Sequence, residues 1–397
     1  MKAGFRTSAQ AAVVRAVHGH PGLTRAQVAA EIGIPSGFAA ETVARLVTAG
    51  LIAERPAPAT GRPGRPTTAL GPNPEGPLVA AAAIGQDTWQ AGAVELGGTM
   101  TARTARAHDG DQDRVLSAVA AELERIRDRC GARVRAAAVA VPGTVAGSQL
   151  ILASGLSWHG VDLSVLWPHY QPGIEFVAGN DATLAGIAES RRAPGPGPDL
   201  STGTMLYLHV DDGVGGAVIE AGRAIRGATG AAGEFGHMPF GDPAVRCRCG
   251  AAGCWNTSID GPALARLLSG SMPGGKVRYL RHVLASARDG DAGALSAIRA
   301  VGGSIGRGVA GLVNGMDPRL VVIGGLGPEL LLIAGDEINA AYRDGLMAFR
   351  VLPPPITPAR LGADGPLLGA ADEAFTRLLT DEGLQAWAAR EQAMAER

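Results

Sequence analysis

The sequence contains no run of about 20 apolar residues, which excludes a membrane-spanning helix. Its first residues lack the apolar core of a signal peptide, so a cytoplasmic protein is expected. Aromatic residues are scarce at 4% and charged residues modest at 18%, against 46% hydrophobic, which is globular material. The 58 glycines and 26 prolines show no collagen-like period and are read as turns, loops and linkers. Cysteine is rare too: only four in 397 residues, at positions that suit a metal and a reducing compartment.

Three of the four fall within Cys247-Arg248-Cys249-Gly250-Ala251-Ala252-Gly253-Cys254, ten residues after His237. Scattered core cysteines would not cluster with glycines between them. Gly250 and Gly253 let the backbone turn so that the sulfurs converge. Three thiolates and one imidazole form a closed tetrahedral set for Zn²⁺, so His237, Cys247, Cys249 and Cys254 are the expected ligands of a structural zinc. Metal on one ring nitrogen of His237 fixes the direction of the other, next to Glu234, where it can read a small polar ligand. Cys130 stands alone and is expected to be a buried small side chain.

Net charge is −1 overall, but residues 1–76 carry eight basic and four acidic side chains, a balance of +4 that leaves −5 for the rest. A basic head on an acidic body suggests nucleic-acid contact at one end. In that head, Ala11, Val14 and Val17 recur at helical spacing. Gly19-His20-Pro21-Gly22 ends this helix, and Thr24 with Gln27 forms a capping box for a second that Gly33 closes. A third runs from about Ser36 to Ala49, with Val43, Leu46 and Val47 inward, and an extended segment starts at Gly50. Three short helices and a strand describe a winged helix-turn-helix whose third helix enters the major groove. Ser36, Gly37 and Arg45 are the expected DNA-facing residues of that helix, although Glu41 repels phosphate and Gly37 makes no bidentate base contact. Arg62 and Arg65, in Thr60-Gly61-Arg62-Pro63-Gly64-Arg65-Pro66, suit a narrow minor groove. Residues 1–55 are thus the DNA-binding domain and 56–77 a wing and linker.

From Leu78 the pattern becomes buried strands alternating with helices. An α/β body of two related lobes is expected over 78–397, each opening on a hairpin, with approximate bounds 78–200 and 201–397. The residues from Leu367 onward read as one or two amphipathic helices packed on the first lobe or on a partner subunit.

The stretches Ala140-Val141-Pro142-Gly143, Gly179-Asn180-Asp181-Ala182, Gly213-Val214-Gly215-Gly216 and Gly227 to His237, followed by the cysteine cluster, resemble the ROK family (repressors, open reading frames, kinases) in its transcription-regulator branch. The resemblance covers nearly the whole length. It implies an actin-like, ribonuclease-H-like fold with a sugar in the cleft between the lobes. It further implies that Asn180 and Asp181 bind a sugar hydroxyl, with Asp181 the former catalytic base, that Glu234 and His237 contact the sugar, and that the zinc ligands are the four named above.

Two departures from the family pattern stand out. Its kinases carry Asp-x-Gly-Gly-Thr in the first hairpin; here the stretch is Ala83-Ile84-Gly85-Gln86-Asp87, without the acid that helps manage Mg²⁺–ATP. The usual Glu two residues after the last cysteine is Asn256, uncharged and one methylene shorter, which keeps a hydrogen-bonding group at the expected sugar site. The reading that follows is a sugar-responsive transcription regulator, a repressor without kinase activity. Its expected partners are operator DNA and a small sugar or sugar-derivative effector, and it is expected to be a homodimer or homotetramer. The alternatives are an ATP-dependent hexose kinase, or a regulator gated by a protein partner with a vestigial cleft.

Overall fold

The chain opens on α1 (Ala9–Gly19), α2 (Arg25–Ile32) and α3 (Ser36–Thr48), then a ribbon of β1 (Ile52–Pro56) and β2 (Thr68–Pro72). Local chemistry explains the start of α1 and both ends of α2. The Ser8 hydroxyl caps α1 at Ala11 N; Thr24 and Gln27 form the capping box of α2; Gly33, at φ +70°, ends α2 in the left-handed region. The antiparallel ribbon pairs Ile52 with Pro72 and Pro56 with Thr68, the wing of a winged helix. One expectation is corrected: Val47 is exposed. The buried stripe of α3 is Ala39, Thr42, Val43 and Leu46, and position 47 falls off its edge. The computed structural model describes residues 8–56, 68–169, 174–192, 203–211, 213–272 and 276–395, so Arg62 and Arg65 lie outside the described residues.

The first lobe contains β3 (Leu78–Ile84), β4 (Thr88–Glu95), β5 (Met100–Ala107), α4 (Gln112–Cys130) and β6 (Val134–Val141). A small sheet of β7 (Thr144–Ala146), β8 (Gln149–Ala153) and β9 (Trp158–Asp162) follows, then β10 (Glu175–Asn180) and α5 (Asp181–Arg192). The second contains β11 (Thr204–Val210), β12 (Val214–Glu220), β13 (Arg223–Ala224), α6 (Gly261–Leu267), α7 (Lys276–Arg288), α8 (Ala292–Met316), β14 (Leu320–Gly325), α9 (Gly327–Asp344) and β15 (Ile356–Pro358). Helices α10 (Gly365–Leu378) and α11 (Asp381–Ala395) complete the chain.

The two main sheets repeat one topology. Among the described residues their orders are β10-β6-β3-β4-β5 and β13-β12-β11-β14-β15. In each, an antiparallel triplet is extended by two parallel strands. Strands β3 and β6 are buried along their whole length, as parallel strands covered on both faces must be. Along β3, Leu78, Ala80, Ala82 and Ile84 join the core under α4. Val79, Ala81 and Ala83 face a second core built with α5 and α10. That second core runs without a break into the head, through Val13, Val17, Leu46, Leu51 and Leu70. Cys130 is half-buried at the edge of the α4 core.

The final helices answer the question left by the sequence. α10 packs on α5 and on β3 and β6 of the first lobe, while α11 reaches the head. Trp387 Nε1 donates to Ala49 O at 2.8 Å, Arg15 Nε to Leu379 O at 2.9 Å, and Ser8 donates its N–H and its hydroxyl to Asp381.

Candidate effector cleft and metal loop

Strand β10 passes directly into α5, and the junction is held by Asn180. Its Oδ1 accepts from Thr183 N at 2.9 Å, capping the helix, and its Nδ2 donates to Gly143 O at 2.9 Å. Asp181 therefore stands at the first turn of α5, its Oδ1 accepting from Ala182 N at 2.8 Å. Burial raises the pKa of this carboxyl above the usual carboxylate range, against the pull of nearby His209.

On the facing lobe a short 3₁₀ turn carries His237, preceded by Glu234. Gly233 lets this loop lie on β12: its φ is +98°, and a Cβ there would sit 2.0 Å from Gly216 O. Thr144 of the first lobe donates to Glu234 Oε1 at 3.1 Å, so the two lobes meet across the cleft at this carboxylate. His237 Nε2 lies 4.0 Å from Glu234 Oε2, and its Nδ1 lies 3.8 Å from Cys247 Sγ. The ring thus turns one nitrogen to the cysteines and the other to the cleft, as its position between the two motifs requires.

The ligating atoms of His237, Cys247, Cys249 and Cys254 all lie within 4.8 Å of one another. Cys249 Sγ and Cys254 Sγ are 3.5 Å apart, close to the ~3.8 Å that tetrahedral Zn–S bonds of ~2.3 Å impose. A tight turn supplies the geometry: Cys247 N donates to Ala251 O, and Gly250 has φ +94°. Burial pushes the Cys254 thiol up to about 12, with Cys249 and Cys247 adding to it, whereas the Ala251 N–H lowers Cys249. Thiols crowded in this way ionise together only around a cation, which the donor set and spacing fit.

Asn256 lies behind this loop. Its Oδ1 accepts from Val214 N at 2.6 Å, tying the metal loop to the β11–β12 hairpin. That use of its oxygen was not visible in the sequence, where Asn256 read only as a sugar contact.

The stretch Ala83-Ile84-Gly85-Gln86-Asp87 spans the end of β3 and the turn into β4. Ala83 is buried, the Gln86 amide lies against Gly155, and Asp87 Oδ2 pairs with Arg281 Nη1 of α7 at 3.0 Å across the lobes. Asp211, in the β11–β12 turn, adds a second carboxylate. Burial raises it to about 6, with Asp181 and Asp87 contributing and His209 and Arg281 opposing. Asp211, Arg281 and Thr144 were missed in the sequence. The paired acids Asp211-Asp212 in a glycine-rich turn were the available signal for the first, and nothing local marks the others.

A model of the ROK family matches residues 79–376, about three quarters of the chain. The chain belongs to the ROK family. A model of the MarR family matches residues 6–63, the winged-helix end of this ROK protein. Kanosamine kinase of Amycolatopsis mediterranei (strain S699) is 29% identical over 269 residues, 66% of this chain and 84% of the kinase. The xylose repressor of Bacillus subtilis (strain 168) is 26% identical over 187 residues, and the match spans 47% of this chain and 46% of the repressor. The crystal structure of a ROK-family transcriptional regulator, a homolog of the E. coli MLC protein, superposes with a TM-score of 0.73 at 22% identity. It covers 96% of this chain and 98% of that one, which shows the same fold from head to body.

On the head of this ROK protein, Ser36 and Gly37 are exposed at the N-terminus of α3. Arg45 is exposed as well, but its Nη2 pairs with Glu41 Oε1 at 2.5 Å, which ties up the one cation on that face of α3. Glu41→Ala is expected to release Arg45 and remove a like charge from phosphate, tightening DNA binding about threefold at low salt. A fluorescence-anisotropy titration checks this; unchanged affinity would place both residues off the DNA.

Proposed function

We propose that this ROK protein is a sugar-responsive DNA-binding transcription regulator, a repressor, whose cleft no longer transfers phosphate. The observation that carries the reading is the junction of a winged-helix head with a body whose first hairpin bears Ala83 at the end of its first strand and Gln86 and an Arg281-paired Asp87 in its turn. The proposed units are the head over 1–55, a wing and linker over 56–77, and a two-lobed sensing body over 78–397. Operator DNA is bound by Ser36, Gly37, Arg45, Arg62 and Arg65. The sugar is held by Asn180, Asp181, Glu234, His237 and Asn256. Zn²⁺ on His237, Cys247, Cys249 and Cys254 is structural: it holds the imidazole toward the sugar and supplies no chemistry. The protein acts in the cytoplasm as a homodimer or homotetramer, because two operator half-sites call for two heads.

A ligand shifts DNA binding only if it prefers one lobe arrangement over another. The bridge from Thr144 to Glu234 supports such a preference, because a sugar hydroxyl competes for the same carboxylate. The retained, desolvated Asp181 favours the rival reading, a hexose kinase, since a raised carboxyl suits a general base. One experiment separates the two. The full chain is screened by thermal shift against D-glucose, D-xylose, N-acetylglucosamine and N-acetylmannosamine, and each hit is assayed with Mg²⁺–ATP. Stabilisation by a sugar without ADP formation is expected. Turnover that disappears in Asp181→Ala would establish the kinase instead.

A further inference from the structure

The 12-residue helix α5 has Asp181 at one end and Arg192 at the other, about 17 Å apart along the axis. Arg192 does not end in solvent. Its Nε donates to Asp372 Oδ2 at 2.9 Å, its Nη2 to Asp372 Oδ1, and its Nη1 to Gly97 O at 2.8 Å. Asp372, on α10, is fully buried. Its Oδ1 lies 3.1 Å from Nε2 of His18, a buried residue in the last turn of head helix α1. Gly97 N donates to His18 Nδ1 at 2.9 Å, so Nε2 carries the proton and donates to Asp372. The Gly97 residue is therefore gripped from both sides: by the head through its N–H and by Arg192 through its carbonyl.

Two further observations single out this contact. Gly98 has φ +84°, and a Cβ there would lie 1.7 Å from Arg192 Nη1, so the turn is shaped to admit the guanidinium. Helices α5 and α10 also approach at backbone distance: a Cβ on Gly369 would lie 1.8 Å from Leu184 O. Glu189 of α5 fastens the start of α10's approach by accepting from Arg360 N and Leu361 N at 2.7 Å each. The two helices pack as one body. Against the head that body is not close-packed everywhere, because a cavity of about 240 Å³ lined by Leu51, Arg135, Phe375, Leu384 and Trp387 adjoins the junction.

We infer that Arg192 is the residue that couples the cleft to the DNA-reading head: a change at Asp181 moves the α5–α10 body, and the Arg192–Asp372 pair carries that movement to His18 and the Gly97 turn. The inference rests on the sugar-responsive reading for its ligand, but its mechanical content does not. Coupling between two such sites needs an element with two arrangements that both sites bias. The candidate element is the seam between α10 and the head, which the ion pair bridges at Asp372 and which holds the cavity at Phe375, one turn along the same helix.

The test uses the full chain with Arg192→Met and Asp372→Leu together, which removes both charges and leaves neither unpaired. The first arm measures affinity for a DNA duplex selected by the protein itself, with and without D-glucose or D-xylose. The wild type is expected to change affinity about tenfold, and the double variant by less than about twofold while still binding the sugar. A double variant that keeps the full wild-type change overturns the inference. The second arm needs no sugar: hydrogen exchange of α1 is compared with and without Asp181→Asn in each background. Altered exchange in the wild-type background alone is expected. An equal change in both backgrounds, or none in either, overturns the relay. Should the wild type bind sugar without any change in DNA affinity, the sugar-responsive reading fails, and the second arm still decides the role of Arg192.

Discussion

Cys254→Ser is expected to lose the bound metal, about one zinc per chain, and to lower the melting temperature by roughly 10 °C. Cys254 is 1% exposed and is followed at once by Trp255, which is fully buried and donates to Ser304 O of α8 at 3.1 Å. A loop that loses its metal would loosen the element that joins the cleft to the second core. The loss also frees His237, whose Nε2 then has no fixed direction toward Glu234, so sugar affinity falls with stability. Elemental analysis and calorimetry on the same preparation check both effects. Unchanged zinc in the variant would remove Cys254 from the ligand set.

Asp372→Ala is expected to be the most damaging single change at the head junction, costing about 3–5 kcal/mol, because it leaves the Arg192 guanidinium and the His18 N–H buried without their acceptor. The pair also sets an acid limit. Burial opposes ionisation of Asp372, but Arg192 and the His18 hydrogen bond outweigh it and hold the carboxyl at about 2, below the usual 3.8. The folded value is the lower one, so this stabilisation is complete above pH ~4 and is lost as pH falls toward 2. It amounts to roughly 2 kcal/mol. Urea unfolding at pH 7, 4 and 3 should show this acid limb in the wild type and not in Asp372→Ala. Parallel pH profiles would show that Asp372 is not ionised in the fold.

Much of this was legible in the sequence because the signals are local. Thr24 and Gln27 announce a cap, Gly33 a helix end, and the alanine-rich runs of β3 and β6 can be satisfied only between two covered faces. The metal loop was legible for the same reason: four donors within eighteen positions, with glycines at the turns. What escaped was whatever depends on distant partners. Arg192 and Asp372 lie 180 positions apart, and Asp87 and Arg281 194 apart; neither pair has any periodicity to betray it. Val47 escaped differently, since its apolar side chain fits the helical pattern but sits just outside the packed stripe. Asn256 shows the limit of motif reading: the position was noticed, but its hydrogen bond to Val214 belongs to the fold as much as to any ligand.

The proposed regulator couples a metal-organised cleft to a DNA-reading head, and that cleft is proposed to transfer no phosphate. Fluorescence anisotropy tests this most directly: the full-length, zinc-loaded protein is titrated onto its selected duplex with Mg²⁺–ATP present, with and without the sugar found by thermal shift, while ADP is monitored in the same cuvette. A sugar-dependent change in DNA affinity of at least about fivefold with no ADP formed is the predicted result. DNA affinity indifferent to the sugar, accompanied by steady ADP production, would contradict it.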